Sequence, residues 1–249
     1  MKTYEAIVFD LGGTLIEYAG KFDSWPDLEA PGMRAAHAFL RQEGVPVPEM
    51  SQFEAVGYEL LPNRWQQAKT GVRNLTVPLL LTDILEQLHI VAPDPSILRT
   101  AADRYERAIC DDAEPIPYSQ ELLAQLKATG YRLGLISNTM FSGQAHLNDL
   151  RKFGLLSYFE ATLFSSETNQ WKPTPAPFLR IVSELRTTTD STLFVGDDPG
   201  ADVAGAKAVG IDVVHFASSD RFPPAERAVP NATIYHLGEL PLLLEKLNS

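Results

Sequence analysis

The feature that most constrains the fold is a pattern of short apolar runs that alternate with helix-like segments, interrupted once by a long helical block. The first run, at residues 4–10, is apolar and ends in the Gly-rich turn Leu11-Gly12-Gly13-Thr14. Further short apolar runs lie at residues 131–137, 161–164, 192–195 and 211–216. Strands that alternate with helices in this way are typical of a parallel, doubly wound sheet.

A block with helical periodicity separates the first run from the others, from about Ala30 to Asp112. Its apolar residues recur at spacings of three and four, which indicates about four amphipathic helices and no convincing strand. Prolines at positions 46, 48, 62, 78, 93 and 95 are interpreted as breaks between these helical segments. Because an isolated N-terminal strand has no other sheet to join, the first strand must belong with the later ones.

The predicted fold class is therefore α/β, with a Rossmann-like doubly wound parallel sheet and an inserted all-helical domain. We expect residues 1–16 and 114–249 to form the α/β core and residues 17–113 to form the helical insertion. The chain of 249 residues is long enough for one large core or two modest ones.

The charge balance limits the partners that this chain can have. Its 21 Lys and Arg residues against 32 Asp and Glu residues give a net charge of −11, which repels phosphate backbones and anionic lipid. We therefore expect neither nucleic-acid nor membrane binding. No apolar stretch approaches the ~18 residues of a transmembrane helix, and a signal-peptide pattern is missing, so a cytoplasmic location is expected. The single cysteine, Cys110, is interpreted as a buried core thiol.

Polar residues follow the ends of four predicted strands. Asp10 follows the first strand, Ser137-Asn138-Thr139 the second, Lys172 lies beyond the third, and Asp197, Asp198 and Asp202 follow the fourth. In open α/β sheets, ligands bind beyond the carboxyl ends of the strands. Each residue alone could be a turn residue or a helix cap, but their joint occurrence at strand ends favours a functional site.

These residues stand in four motifs: Phe9-Asp10-Leu11-Gly12-Gly13-Thr14-Leu15, Ile136-Ser137-Asn138, Lys172-Pro173-x-Pro175-x-x-Phe178, and Val195-Gly196-Asp197-Asp198-x-x-x-Asp202-x-x-Gly205-Ala206-x-x-x-Gly210. In this order and combination, the chain resembles the haloacid dehalogenase superfamily of aspartate-nucleophile hydrolases. The resemblance covers residues 4 to about 216. The helical block falls where that family places its helical, C1-type cap, which closes over small substrates. Dinucleotide and P-loop motifs are absent from the sequence.

The resemblance implies a Mg²⁺-dependent phosphohydrolase that acts on a small phosphorylated metabolite through an aspartyl-phosphate intermediate on Asp10. The implied magnesium ligands are Asp10, the backbone carbonyl of Gly12, Asp197 and Asp202, and hard oxygen donors of this kind suit Mg²⁺. Asp198 is left open between a role in the site and a structural cap. A homodimer is also left open, and the identity of the substrate would depend on cap residues.

The resemblance also implies how the phosphoryl group would be held. Ser137 would hydrogen-bond a phosphoryl oxygen, and Lys172 would neutralise charge on the aspartate and on the phosphoryl group. Gly13, Asn138 and Thr139 are further candidates for this oxygen cradle. Trp171 adjoins Lys172 and is a candidate for the rim of the site.

One position departs from the family pattern. Phosphatases of the family usually carry a second aspartate two residues after the nucleophile, and this residue protonates the leaving group. Here that position is Gly12, and such a proton donor is worth ~10² to 10⁴ in rate. Two alternatives therefore stay open: a phosphonate-cleaving hydrolase that uses a cap lysine as a Schiff base, and a catalytically weak binding or regulatory member of the fold. Lys21 and Lys69 are the cap lysines, and both are interpreted as surface residues. Halide-displacing relatives use no metal, and the retained pair Asp197 and Asp202 argues against that chemistry.

Overall fold

The computed structural model describes residues 4–18, 27–217 and 229–247, and its centre is a six-stranded parallel sheet in the order β5-β4-β1-β6-β7-β8. The strands are β1 (Ala6–Phe9), β2 (Ile16–Glu17), β3 (Glu114–Pro115), β4 (Arg132–Ser137), β5 (Ala161–Phe164), β6 (Thr192–Gly196), β7 (Asp212–Phe216) and β8 (Ala232–Ile234). The helices are α1 (Ala30–Gln42), α2 (Met50–Lys69), α3 (Val77–Gln87), α4 (Pro95–Cys110), α5 (Ser119–Ala128), α6 (Gly143–Lys152), α7 (Ser165–Thr168), α8 (Pro175–Glu184), α9 (Ala204–Ala208) and α10 (Leu240–Leu247). None of the described helices is long and apolar enough to cross a membrane.

Strand β1 lies in the middle of the sheet, between β4 and β6. All four of its side chains are buried, and they alternate between two apolar clusters on opposite faces of the sheet. Ile7 and Phe9 belong to one cluster, and Ala6 and Val8 belong to the other. Helices therefore cover both faces, which explains why the strand reads as a continuous apolar run.

Helices α1 to α4 form a four-helix block around an apolar core that also includes three buried residues from outside the block, Met140, Phe141 and Trp171. Met33, Phe53, Leu80 and Tyr105 are buried at its centre. The prediction that Pro62 separates two helices is wrong, because α2 runs through it. A proline inside a helix costs about 3 kcal/mol, so the apolar face that α2 buries on both sides of this residue must outweigh that cost.

A short antiparallel ribbon joins the four-helix block to the sheet layer. Glu17 of β2 pairs with Glu114 of β3, and Ile16 pairs with Pro115. The sequence pattern does not indicate this ribbon, because strands of two residues carry no periodicity. The chain thus leaves the sheet layer and returns to it at adjacent positions.

Candidate active site

Asp10 lies at the carboxyl end of the central strand β1, and both of its carboxylate oxygens are held. Its Oδ1 accepts a 2.6 Å hydrogen bond from Nζ of Lys172, and its Oδ2 accepts a 3.1 Å bond from the hydroxyl of Thr14. Gly13, at a φ of +83°, has the left-handed conformation that favours glycine and lets the chain turn back between these residues. Asp10 is therefore buried in a fixed orientation.

Lys172 connects the carboxylates of the site. Its ammonium group donates to Oδ1 of Asp10, to Oδ1 of Asp202 at 2.7 Å and to the carbonyl of Ile136 at 3.0 Å, which uses all three of its protons. Its side chain is 1% exposed, and Nζ lies 5.4 Å from the ring centroid of Phe194. Burial alone would lower the pKa of Lys172, but the charges of Asp10 and Asp202 hold this pKa above its ordinary value. The residue is therefore a buried ammonium ion.

Asp202 is pressed against the end of strand β6. A Cβ atom on Gly196 would lie 2.4 Å from Oδ2 of Asp202, so only glycine fits at that position. The same Oδ2 accepts a 3.0 Å hydrogen bond from the backbone N–H of Asp198. Burial raises the pKa of Asp202 to about 7, and the charges of Asp10 and Asp198 add to this effect, while Lys172 opposes it.

The role of Asp198, left open by the sequence, is that of a cap. Its Oδ1 accepts hydrogen bonds from the backbone N–H groups of Gly200 at 2.7 Å and Ala201 at 3.0 Å. These contacts begin the π-helical turn Pro199–Val203, which carries Asp202. Asp198 therefore positions the acidic loop, residues 197–202, through its backbone and its side chain.

The three carboxylates fit a divalent cation. Oxygen atoms of Asp10, Asp197 and Asp202 lie within 4.8 Å of one another, and all three residues are buried. Three carboxylates against the single ammonium of Lys172 leave an excess of negative charge, which is costly in a buried site. Oxygen donors of this type are those that Mg²⁺ prefers. The carbonyl of Gly12, in the turn that follows Asp10, stays a predicted ligand.

The residues predicted to contact the phosphoryl group differ in whether their polar groups are already hydrogen-bonded within the protein. Ser137 ends β4 next to β1, is buried, and has a hydroxyl that bonds to no other residue in the described ranges. Asn138 instead holds the backbone of Lys172, because its Oδ1 accepts from the N–H of Lys172 and its Nδ2 donates to the carbonyl, both at 2.8 Å. The N–H of Gly13 donates to the carbonyl of Ile16 at 2.9 Å. Ser137 is therefore the best placed of these candidates to meet a ligand.

Thr139, the remaining candidate, belongs to a buried network that sequence reasoning missed. Tyr18 donates to Oδ2 of Asp149 at 3.0 Å, so its oxygen accepts the Nδ1 proton of His146 at 2.9 Å. Thr139 then donates to Nε2 of His146 at 2.7 Å and accepts from the N–H of Phe141 at 2.9 Å. Burial lowers the pKa of His146 to about 3, so this histidine is neutral. The hydroxyl of Thr139 thus makes two hydrogen bonds within this network.

Two further residues support the site without a sequence signal for their role. Thr14 lies inside the first motif and holds Asp10, as described above. His215, on β7, donates from Nε2 to the backbone carbonyl of Asp197 at 3.1 Å. Its contact spans two strands, so no local pattern could have indicated it.

Cys110 is buried as predicted, and burial raises the pKa of its thiol.

The four-helix block reaches the site through α2 and the loop that follows it. Nζ of Lys69 lies 3.8 Å from Oδ2 of Asp198, and the side chain is 24% exposed. Lys69, interpreted as a surface residue, is half-buried at the edge of the site, while Lys21 lies outside the described residues. Trp171 is buried against Trp65, with ring centroids 5.0 Å apart, and donates from Nε1 to Oδ1 of Asn74 at 3.0 Å.

Comparison with known proteins gives phosphatase relatives over nearly the whole chain. The chain is 32% identical over 245 residues to a ribulose-1,5-bisphosphate 5-phosphatase of Halopiger xanaduensis, covering 94% of this chain and 97% of that protein. It is 28% identical over 245 residues to a phosphoglycolate phosphatase of Cereibacter sphaeroides, covering 97% and 98%. The structure of the magnesium-bound HAD-hydrolase YfnB from Bacillus subtilis shares the fold, with a TM-score of 0.65, 19% identity and coverage of 98% and 99%.

The family description that fits the chain covers four of the six strands of the parallel sheet, the inserted helices and the residues predicted for the site. It is that of a haloacid dehalogenase-like hydrolase and matches residues 4–210. This span includes the Asp10 motif, Ser137, Lys172 and the acidic loop that carries Asp202. The chain is therefore a hydrolase and belongs to the haloacid dehalogenase-like family.

Proposed function

We propose that the protein is a Mg²⁺-dependent phosphohydrolase of a small phosphorylated metabolite and that it acts through an aspartyl-phosphate on Asp10. The observation that carries the proposal is the buried ammonium of Lys172, which bridges Asp10 and Asp202 at 2.6 and 2.7 Å. A fixed cation beside a carboxylate nucleophile favours the approach of a phosphoryl dianion. The two relatives are named for a sugar bisphosphate and for phosphoglycolate, which are both small phosphate monoesters.

The chemistry of Asp10 consists of two displacements at phosphorus. A carboxylate oxygen of Asp10 attacks the phosphorus atom, the bond from phosphorus to the ester oxygen breaks, and the leaving oxygen takes a proton from solvent water. Water then attacks phosphorus, which releases inorganic phosphate and restores the carboxylate. Thr14 and Lys172 hold the two Asp10 oxygens in place, and Lys172 stabilises the charge that develops on the phosphoryl oxygens.

The remaining residues of the site bind and orient. Asp10, Asp197, Asp202 and the carbonyl of Gly12 would hold Mg²⁺. When bound, this ion would screen the repulsion between the carboxylates and the phosphoryl group. The Ser137 hydroxyl would donate to a phosphoryl oxygen. With glycine at position 12, no side chain there can protonate the leaving oxygen.

We also propose that the four-helix block, within residues 17–113, is the cap over the site formed by residues 1–16 and 114–249. The support is that α2 contacts two residues next to the site, Trp171 and Asp198. A cap in this position would exclude water during the first displacement.

Turnover of a panel of small phosphate monoesters, with Mg²⁺ or with EDTA, tests the proposal. We expect activity only with Mg²⁺, and Asp10→Asn should lower kcat by at least ~10³-fold, as expected for loss of a nucleophile. The matched control is Asp190→Asn, which removes an exposed carboxylate and should leave kcat unchanged. Rates that persist in Asp10→Asn would rule out the aspartyl-phosphate, and equal rates in EDTA would rule out the metal requirement.

The two alternatives have their own signatures. Phosphonate cleavage is kept because Nζ of Lys69 reaches the edge of the site. It requires a neutral amine that forms a Schiff base, so borohydride with a phosphonate substrate would inactivate the protein and label Lys69. A binding or regulatory protein, suggested by Gly12, would bind Mg²⁺ and phosphate esters without turnover.

A further inference from the structure

Helix α2 presents two residues, one turn apart, to the residues that flank the catalytic lysine and the acidic loop. Trp65 packs against Trp171, which immediately precedes Lys172, and Lys69 approaches Asp198, which immediately follows Asp197. Residues four apart lie on the same face of a helix, so both contacts come from one face of α2. The position of Lys69 is therefore fixed by helix docking.

Lys69 differs from the other cations of this region in its partner. Arg64 and Arg73 both bond to the buried carboxylate of Asp83, with donor–acceptor distances of 2.5 and 2.8 Å. Among the described residues, Lys69 has only a 3.8 Å contact with Oδ2 of Asp198, which is too long for a hydrogen bond. A lysine in the last turn of a helix also favours the helix dipole, but that effect does not direct its ammonium toward the acidic loop.

The partner of Lys69 has other bonds, so the contact can be exchanged. Oδ1 of Asp198 accepts two backbone hydrogen bonds, and these would persist if Lys69 moved to another anion. Such an anion would gain charge-assisted hydrogen bonds that Asp198 does not make with Lys69. Lys69 is thus a cation at the edge of the site that can still form strong bonds.

The contacts also define which end of a substrate Lys69 would meet. Asp198 bonds to Asp202, and Asp202 bonds to Lys172, so these two aspartates separate the two ammonium groups. A phosphoryl group placed against Asp10 and Lys172 therefore leaves Lys69 for a group elsewhere in the same small molecule.

Building on the phosphohydrolase function proposed above, we propose that Lys69 binds a second anionic group of the substrate. The preferred substrates are then phosphate monoesters that carry a carboxylate or a second phosphate a few bonds from the scissile ester. Esters whose far end is neutral are poor substrates for the same site. Lys69 is in this view a residue that determines specificity and takes no part in the displacement at phosphorus.

Three probes with the same three-carbon chain test this inference: 3-hydroxypropyl phosphate, 3-phosphonooxypropanoate and propane-1,3-diyl bisphosphate. The readout is the ratio of kcat/KM for each anionic probe to kcat/KM for the hydroxyl probe. In Lys69→Met this ratio should fall about ten- to a hundredfold, the amount expected for a lost hydrogen bond between charged groups. Lys69→Arg should keep the ratio within about threefold, since it keeps the charge. The matched control Lys127→Met, at an exposed lysine paired with Glu160, should leave the ratio unchanged.

Binding measurements separate this inference from the proposed function. The dissociation constants of the three probes are measured by calorimetry in Asp10→Asn, with and without Lys69→Met. If the wild type turns over the probes and Lys69→Met has the same kcat/KM ratio as the wild type, the inference is overturned and the phosphohydrolase function stays intact. Absence of turnover, together with Lys69-dependent binding of both anionic probes, would uphold the inference and overturn that function. If the binding of only one anionic probe depends on Lys69, the inference holds, and that probe identifies the second anionic group as a carboxylate or as a phosphate.

Discussion

Tyr18 lies against Gly12, and a Cβ atom on residue 12 would be 3.6 Å from Cδ2 of the tyrosine ring. This distance is an ordinary van der Waals contact, so the turn has room for a Cβ atom at this position. Gly12 is also not among the glycines with a positive φ, whereas its neighbour Gly13 is. The glycine at position 12 is thus not required by the backbone, and its effect on chemistry can be tested directly.

We expect Gly12→Asp to fold and to accelerate alkyl phosphates selectively. Without a proton donor at this position, the leaving oxygen must depart on its own stability, so wild-type rates should fall steeply as the pKa of the leaving alcohol rises. A restored acid should raise the rate for alkyl esters by ~10²-fold and change aryl phosphates little. The measurement is kcat/KM across a leaving-group series at fixed Mg²⁺.

Gly12→Ala is the matched control, because it adds the Cβ without the acid. A shallow series in the wild type, unchanged by a well-folded Gly12→Asp, would show that another residue already protonates the leaving group.

Gly196→Ala should destabilise the protein and reduce its activity. The added Cβ would lie 2.4 Å from Oδ2 of Asp202, so the carboxylate must move away from Lys172. Overpacking of this kind costs ~1–3 kcal/mol in the free energy of unfolding. Urea denaturation and kcat should both respond, whereas Gly12→Ala, whose Cβ meets only an ordinary contact, should unfold like the wild type. Equal stability of Gly196→Ala and the wild type would show that Asp202 is not confined.

The stability of the protein should depend on the protonation of His146. Its pKa is about 3 in the folded protein against an ordinary 6.5, so below pH 6.5 the unfolded chain binds a proton that the folded protein does not. The contribution of His146 to the free energy of unfolding should therefore fall as the pH falls, by about 1.4 kcal/mol per pH unit for one proton. Urea denaturation from pH 7.5 to 5 measures this slope.

His146→Gln keeps hydrogen-bonding groups for Tyr18 and Thr139 but does not titrate, so this contribution to the slope should disappear. Asp202, Asp149 and Glu106, whose pKa values burial raises, act in the opposite sense and are present in both proteins. Parallel pH profiles of the two proteins would contradict the assignment of a neutral, buried His146.

Asn74→Ala should weaken the attachment of the four-helix block to the sheet layer. Asn74 accepts from Nε1 of Trp171 and donates to the carbonyl of Ser166 at 2.7 Å, so its loss leaves two buried groups without these bonds. Such losses cost ~1–3 kcal/mol. Thermal unfolding should give a lower Tm for Asn74→Ala than for the control Asn148→Ala. Asn148 is an exposed residue that accepts hydrogen bonds from Gln144 and Arg151. A similar Tm for both variants would show that the hydrogen bonds of Asn74 do not stabilise this attachment.

The sheet could be predicted because its strands are buried on both faces and therefore read as continuous apolar runs. Strand β5 occupies the predicted residues 161–164, and β4 differs from its prediction by one residue. The interpretation of Pro62 failed because tertiary packing, which a single sequence does not show, outweighed a local helix-breaking preference.

The candidate site could be predicted only where strand ends place residues together. Asp10, Lys172 and Asp202 meet because parallel strands end at one edge of the sheet. The clamp between Asn138 and Lys172 and the contact between Lys69 and Asp198 join residues far apart in sequence. Contacts of that kind follow from packing and leave no periodic pattern in the sequence.

The pairing of Glu17 with Glu114 brings the two ends of the inserted helices side by side. A tight turn between these two residues could therefore close the sheet layer with its strand order unchanged. The groups proposed to act on phosphorus and those proposed to select the substrate thus lie on opposite sides of this ribbon along the chain. Evolution could exchange one without rebuilding the other, so a single hydrolytic centre could acquire new substrates through changes in its insert.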